Sequence, residues 1–286
     1  MNRRQLAALA TLLPGAALAQ GTDPRRLRVA LLPDENASTL IQNAQPLKIY
    51  LEQRLGRSVE IIVTTDYSSM IEAMRFGRIE VAYFGGFSYV LAKTRAPAIE
   101  AFAVGVERGL PTYQSVVIAA AGGPVRVLED IRGKPFAFGD QASTSSHLIP
   151  RALLLQRAGL RGGTDYRVVH LGAHDAVARA VQSGQVPAGA LSYAIFRTLV
   201  TRNLIDPARV AEITQSDPIP NYPMTMQGTL AEPLKAAIRS AFLEVSDPAV
   251  LRAFRVEGFA AAFDADYDIL RDTARVLELD LGSMRG

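Results

Sequence analysis

The chain of 286 residues contains no cysteine. Disulfides, thiolate metal sites and cysteine nucleophiles are thereby excluded. Histidine is scarce. His147, His170 and His174 are the only three, too scattered to suggest a zinc site. There is no Gly-x-Ser-x-Gly elbow, no Gly-x-x-x-x-Gly-Lys-Ser/Thr phosphate loop and no His-Glu-x-x-His helix. An excess of one charge is lacking too: 31 Lys and Arg stand against 28 Asp and Glu, a formal net charge of +3. Without Arg3 and Arg4 the balance is 29 against 28. No block of Lys and Arg exists, so nucleic acid is not an expected partner. No apolar run reaches the roughly 20 residues that a membrane helix needs.

The first residues read as an export signal. Arg3 and Arg4 precede an apolar run from Leu6 to Leu18, and Ala17-Leu18-Ala19 forms a small-residue cleavage site before Gln20. We expect residues 1–19 to be a signal peptide and the remainder to be periplasmic. A buried N-terminal helix is the alternative, and Gly21-Thr22-Asp23-Pro24 breaks that pattern at once. Asn2-Arg3-Arg4-Gln5-Leu6 partly matches a twin-arginine signal, which leaves Sec and Tat export both open. About 265 residues remain, enough for two modest α/β lobes.

Hydrophobic periodicity predicts β-α-β-α-β: strands over Leu27–Leu32, Val59–Thr64 and Ile79–Phe84, with helices from about Pro46 to Leu55 and from Ser69 to Gly77. Ser69 and Glu72 have capping-box spacing. A helix over Phe87–Thr94 and a strand over Ala101–Val106 complete a unit expected to form a parallel sheet. Tyr113–Ala120 reads as one long β-run leading away. The pattern then restarts with strands at Phe136–Phe138, Arg167–Leu171 and Ala188–Ser192. Helices follow each of them, over Thr144–Ala158, His174–Gln182 and Ile195–Asn203. Val210–Thr214 runs back, and the tail is helical, with a second capping box at Thr229 and Glu232 and a last helix opening at Asp264 or Asp266. We expect lobe 1 to comprise residues 20–112 and 215–286 and lobe 2 residues 113–214, hinged by two crossover strands around an interlobe cleft. Ligands of open parallel sheets bind at the carboxyl ends of the strands. That rule selects Pro33-Asp34-Glu35, Thr65-Asp66-Tyr67, Phe84-Gly85-Gly86, Ser143-Thr144-Ser145, Gly172-Ala173-His174 and Ser192-Tyr193.

The sharpest signal is Phe138-Gly139-Asp140-Gln141-Ala142-Ser143-Thr144-Ser145. A strand ends at glycine, hydroxyl residues follow, and a helix begins. Such a start aims free backbone N–H groups and short donors at one point, which suits a small tetrahedral oxyanion. An ordinary helix cap is the alternative, but one hydroxyl suffices for that. His174 opens a helix after a strand and can donate to an anion, or pack structurally. Tyr67 can donate from a rigid ring, while Phe84 can only shape a pocket. Gly85 and Gly86 permit close backbone approach or simply make a turn.

Four segments in order carry a resemblance: Asp66–Phe76, Val81–Gly86, Phe138–Pro150 and Gly172–Ala176. Over Leu27–Phe263 the chain resembles the periplasmic phosphate/phosphite/phosphonate substrate-binding proteins of ABC transporters. The resemblance implies a type II periplasmic binding protein fold that closes on its ligand. It also implies that Ser143, Thr144 and Ser145 bind phosphoryl oxygens, with Tyr67 and His174 donating as well. Phe84 stands where the family often has Tyr, which would leave one donor missing. Ala194 and Tyr222 stand where aminoalkylphosphonate binders place carboxylates, so 2-aminoethylphosphonate is expected to bind poorly. The expectation is a non-enzymatic, monomeric receptor without cofactor or metal. It would deliver phosphite, methylphosphonate or phosphate to an ABC permease in the inner membrane. Input to a sensor kinase and phosphoester or phosphonate hydrolysis are the alternatives.

Overall fold

The computed structural model describes residues 21–284, so the expected signal peptide lies outside the described residues. The chain runs β1 (Arg26–Leu31), α1 (Ala37–Asn43), α2 (Gln45–Leu55), β2 (Ser58–Val63), α3 (Tyr67–Arg75), β3 (Val81–Tyr83), α4 (Gly86–Arg95) and β4 (Glu100–Val106). It crosses through β5 (Thr112–Tyr113) into β6 (Ser115–Ala120). Then come β7 (Pro135–Phe138), α5 (Ile149–Ala158), β8 (Arg167–His170), α6 (His174–Gln182), β9 (Ala188–Ser192), α7 (Tyr193–Thr201) and β10 (Val210–Gln215). The return passes through β11 (Ile219–Pro220) and β12 (Pro223–Met226) to α8 (Glu232–Leu243), α9 (Pro248–Arg252), β13 (Gly258–Ala261) and α10 (Asp268–Val276).

Two sheets result, ordered β13-β4-β12-β3-β1-β2 and β10-β6-β9-β7-β8. The first is not all parallel, as the helical spacing had suggested. β12 lies antiparallel between β3 and β4, and β13 pairs antiparallel to β4. The chain returns from the second half in the opposite direction and slots a fully buried strand into the sheet. The long β-run expected over Tyr113–Ala120 is two strands. Gln114 interrupts it, and β5 pairs with β11 in a separate antiparallel ribbon, Tyr113 opposite Ile219. That ribbon is the pair of crossovers between the halves.

Alternation along β6 explains how the second half packs. Val116 and Ile118 enter one core with Val177, Val181 and Phe196, while Val117 and Ala119 enter the other with Phe136, Phe138 and Leu154. The first half has one continuous core that includes Val29, Leu47, Met70, Phe84, Phe87 and Tyr267.

Helix ends differ from the expected caps in two places. α3 is capped by Asp66, whose carboxylate accepts from Ser69 N at 2.7 Å, so Ser69 is inside the helix. Thr229 does not cap α8, which follows Ala231 and opens with a proline in its first turn. The Thr229 carbonyl instead accepts from Thr22 N at 2.8 Å. Every strand-end position selected from the sequence lies on the side where the halves meet. Three bonds cross there: Thr144 Oγ1 accepts from Phe87 N at 2.8 Å, Asp34 O from His174 N at 3.0 Å, and Asp140 Oδ2 from Tyr67 N at 3.4 Å.

Candidate oxyanion site

The hydroxyl loop is shaped by two residues that lack something. Pro150 has no N–H, so the Ser146 carbonyl loses its helical donor. Gly139 N takes that carbonyl at 3.0 Å and the Ser146 hydroxyl at 2.8 Å. A Cβ at Gly139 would sit 2.7 Å from Ser146 Oγ and 3.0 Å from Gly172 O, so only glycine allows this approach. The expected helix from Thr144 therefore opens with a wide π-turn over Thr144–Leu148, and Leu148 N donates to Ser143 O at 3.0 Å. α5 proper begins at Ile149.

The hydroxyls of the loop divide into two kinds. Ser143 Oγ accepts from Ser146 N at 3.1 Å as a cap. Ser146 Oγ donates to Ala190 O and is structural. Thr144 Oγ1 accepts the Phe87 amide, leaving its own proton free to donate. Ser145 Oγ is buried with no partner, and the phenols of Tyr67 and Tyr113 share that condition. Tyr113 lies beside Thr144 and Ser145, and Tyr67 beside Ser143, without completing a hydrogen bond between them. Burial, reinforced by the charge of Asp34, raises both phenols above their ordinary range. Unpartnered buried hydroxyls cost about 1–3 kcal/mol each. Three of them, from α3, β5 and the hydroxyl loop, meet in one place.

His174 completes the cluster. Its Nδ1 accepts from Ser192 N at 2.9 Å, so the neutral ring carries its proton on Nε2. Nε2 lies 3.5 Å from Ser143 Oγ. Burial, with Arg255 nearby, lowers the imidazole to about 3, so it is an uncharged donor at neutral pH.

Other selected residues fall around this cluster. Phe84 is fully buried in the first-half core and brings no polar group. A phenol from elsewhere, that of Tyr113, lies in the cluster. Sequence reasoning missed Tyr113: it lay inside a β-run and seemed to be strand. Gly85 precedes α4, and a Cβ there would lie 3.3 Å from Leu32 Cδ2 and 3.6 Å from Thr144 Oγ1. Tyr222 is buried with its ring 5.3 Å from those of Tyr83 and Tyr113. It lines a hollow of about 20 Å³ with Ala194, Glu107 and Arg255. A larger hollow, about 550 Å³ between Tyr89, Phe102 and Phe263, shares no residue with the donor cluster.

A second group was missed as a group. Arg255 donates to Asp34 Oδ2 at 2.8 Å and to Glu35 Oε2 at 2.7 Å. Asp34 and Glu35 are buried, and Arg255 keeps a positive φ of 59°, uncommon for a side chain of its size. Burial raises the Asp34 carboxyl to about 6 against the pull of Arg255.

Residues 29–267 match the family described as "ABC transporter, phosphonate, periplasmic substrate-binding protein". The chain belongs to that family. It is 27% identical to the phosphate-import protein PhnD of Mycolicibacterium smegmatis over 92% of this chain and 89% of that protein. It is also 27% identical to the phosphonates-binding periplasmic protein of Escherichia coli, over 89% of this chain and 78% of that protein. PhnD1 of Prochlorococcus marinus, solved with methylphosphonate, superposes with a TM-score of 0.81 at 22% identity, covering 90% of this chain and 99% of that one. The fold is that of the type II periplasmic binding proteins. Members of the family are transport components, and this chain is a substrate-binding protein of that kind.

Proposed function

We propose that this phosphonate-family binding protein captures a small phosphorus oxyanion (phosphite, methylphosphonate or phosphate) between its halves and delivers it to an ABC permease. The observation that carries the reading is the convergence of unpartnered Ser145, Tyr67 and Tyr113 hydroxyls on a neutral His174 donor. Ser143, Thr144, Ser145, His174 and Tyr67 are the ligand donors in this reading, together with Tyr113. Gly85 allows α4 to approach, while Phe84 and Tyr222 shape the walls. Residues 20–112 and 215–286 act as one lobe and 113–214 as the other, bending at the β5–β11 ribbon. The Thr144–Phe87 bond makes one hydroxyl report both on the ligand and on closure, so binding and closure are linked. We further propose that the protein works as a periplasmic monomer exported by residues 1–19.

The relatives support the ligand class by what they are named for: phosphate import, phosphonate binding and a methylphosphonate complex. The 20 Å³ hollow beside the donors has room for about one water-sized group. It suits a hydrogen, hydroxyl or methyl substituent on phosphorus better than an aminoethyl arm. A thermal-shift screen of the chain against phosphite, methylphosphonate, phosphate and 2-aminoethylphosphonate tests the reading. One of the first three should raise Tm by several degrees at millimolar concentration, and 2-aminoethylphosphonate should raise it least. No shift with any of them would defeat the proposal.

A further inference from the structure

The donor cluster raises a question of charge. It contains no cation: serine, threonine and tyrosine hydroxyls, helix-start amides and a neutral imidazole are what it offers. Beside it lies a buried group of one guanidinium and two carboxylates, Arg255 with Asp34 and Glu35, which is net negative. A negative cluster against a site for anions costs affinity unless one carboxylate has a proton to accept.

We infer that Asp34 is a specificity-determining residue, its carboxylate accepting the acidic hydroxyl proton of a bound monoanion, so that the site takes HO–P oxyanions and rejects fully ionised ones. This rests on the proposed function above. Asp34 sits where the inference needs it. Its backbone carbonyl holds His174 N across the cleft at 3.0 Å, and its carboxylate is 2% exposed. Arg255 engages Oδ2, and the Tyr222 hydroxyl also lies beside the carboxylate. The charge of Asp34 acts on the phenols of Tyr67 and Tyr113, the unpartnered donors.

The charged and titratable groups facing Asp34 leave it as the acceptor. Arg255, after α9, fixes Oδ2 and stays protonated. Glu35, on the same loop, gives its Oε2 to Arg255. His174, on α6, is neutral and donates through Nε2. The phenols of Tyr67, Tyr83, Tyr113 and Tyr222 stay protonated and donate only. A dianion entering this chamber must take a proton from solvent, and that proton then lies between phosphoryl oxygen and Asp34. Sulfate keeps no proton at neutral pH and meets a bare carboxylate.

The test is calorimetry of the whole chain with methylphosphonate from about pH 6 to about pH 9, in buffers of different ionisation enthalpy. Above the ligand's second ionisation, affinity should fall about tenfold per pH unit, with close to one proton taken up. At about pH 7, sulfate should bind at least about a hundredfold more weakly than methylphosphonate. Asp34→Asn should flatten the pH profile and narrow the sulfate gap. Should that variant not fold, the wild-type profile decides. Affinity flat or rising with pH, or sulfate binding equally well, would overturn the inference and leave the proposed function standing. Absence of binding by methylphosphonate, phosphite and phosphate at every pH would remove both.

Discussion

The two walls of the interlobe site are built on different principles. The second-half wall is neutral and local: Ser143, Thr144 and Ser145 are consecutive, held by Gly139 and Pro150, with His174 one strand and loop away. The first-half wall carries the charge and is assembled from distant parts. Asp34 and Glu35 meet Arg255 across 221 and 220 residues of sequence. The difference separates two tasks. Uncharged hydroxyls and helix-start amides replace the hydration of an anion without bringing a competing cation. In the proposed reading the charged wall decides which protonation state and which shape are admitted.

The largest effect should come from the neutral wall. Ser143→Ala together with Thr144→Ala removes two donors to a charge and the closure bond from Phe87. Affinity for the ligand found by screening should fall by about 3 kcal/mol or more, roughly a hundredfold. Calorimetry with unchanged affinity would dissolve the assignment of that wall. Next comes the charged wall, read through stability. Arg255→Met leaves two buried carboxylates without their counter-ion, a loss of about 3 kcal/mol in the ligand-free protein. Denaturant unfolding measures it, and the loss should shrink in acid, where Asp34 is protonated.

The same contrast explains what the sequence made readable. The second-half wall was legible because its physics is local: glycine, hydroxyls and a helix start in one segment. The helix period was interrupted by the missing N–H of Pro150, so the π-turn was not. Asp34 and Glu35 were flagged by their place after β1, but nothing marked Arg255, which lies beyond α9 in a turn with positive φ. β12 was unreadable for a similar reason. It begins with Pro223 and owes its strand geometry to β3 and β4, not to its own four residues. Tyr113 looked like strand because it is strand; only the hinge ribbon gives its phenol a cleft to face.

Tyr113 offers a sharper cut between folding and binding. Its hydroxyl is buried without a partner, so Tyr113→Phe should leave the free protein as stable or raise it by about 1 kcal/mol. The same change should weaken ligand binding by about 1–2 kcal/mol, because one donor is lost. Thermal unfolding with and without ligand reads both at once. A variant less stable when free would mean that the phenol already serves the fold.

The last comparison is the pH response of the free protein, and it sets the histidines of one half against the carboxylate of the other. His147 donates from Nδ1 to Gln141 O, 2.6 Å away, and burial lowers it to about 3, as it does His174. Both bind a proton more tightly unfolded than folded. Their stability is fully present above about pH 6.5 and is lost as pH falls toward 3. Asp34 runs the other way. Its folded carboxyl titrates near 6, above the unfolded value, so its penalty grows as pH rises through that region. Between about pH 4 and pH 6 the carboxylate offsets only one of the two histidines, so unfolding free energy should fall by about 1.4 kcal/mol for each pH unit of acidification. Below about pH 4 the histidines act alone and stability should fall steeply, by about 1.4 kcal/mol per pH unit for each. In Asp34→Asn the opposing contribution is gone, so the slope between about pH 4 and pH 6 should roughly double, to about 1.4 kcal/mol per pH unit for each histidine. A variant that kept the wild-type slope in that range would show that Asp34 is not the group opposing the histidines.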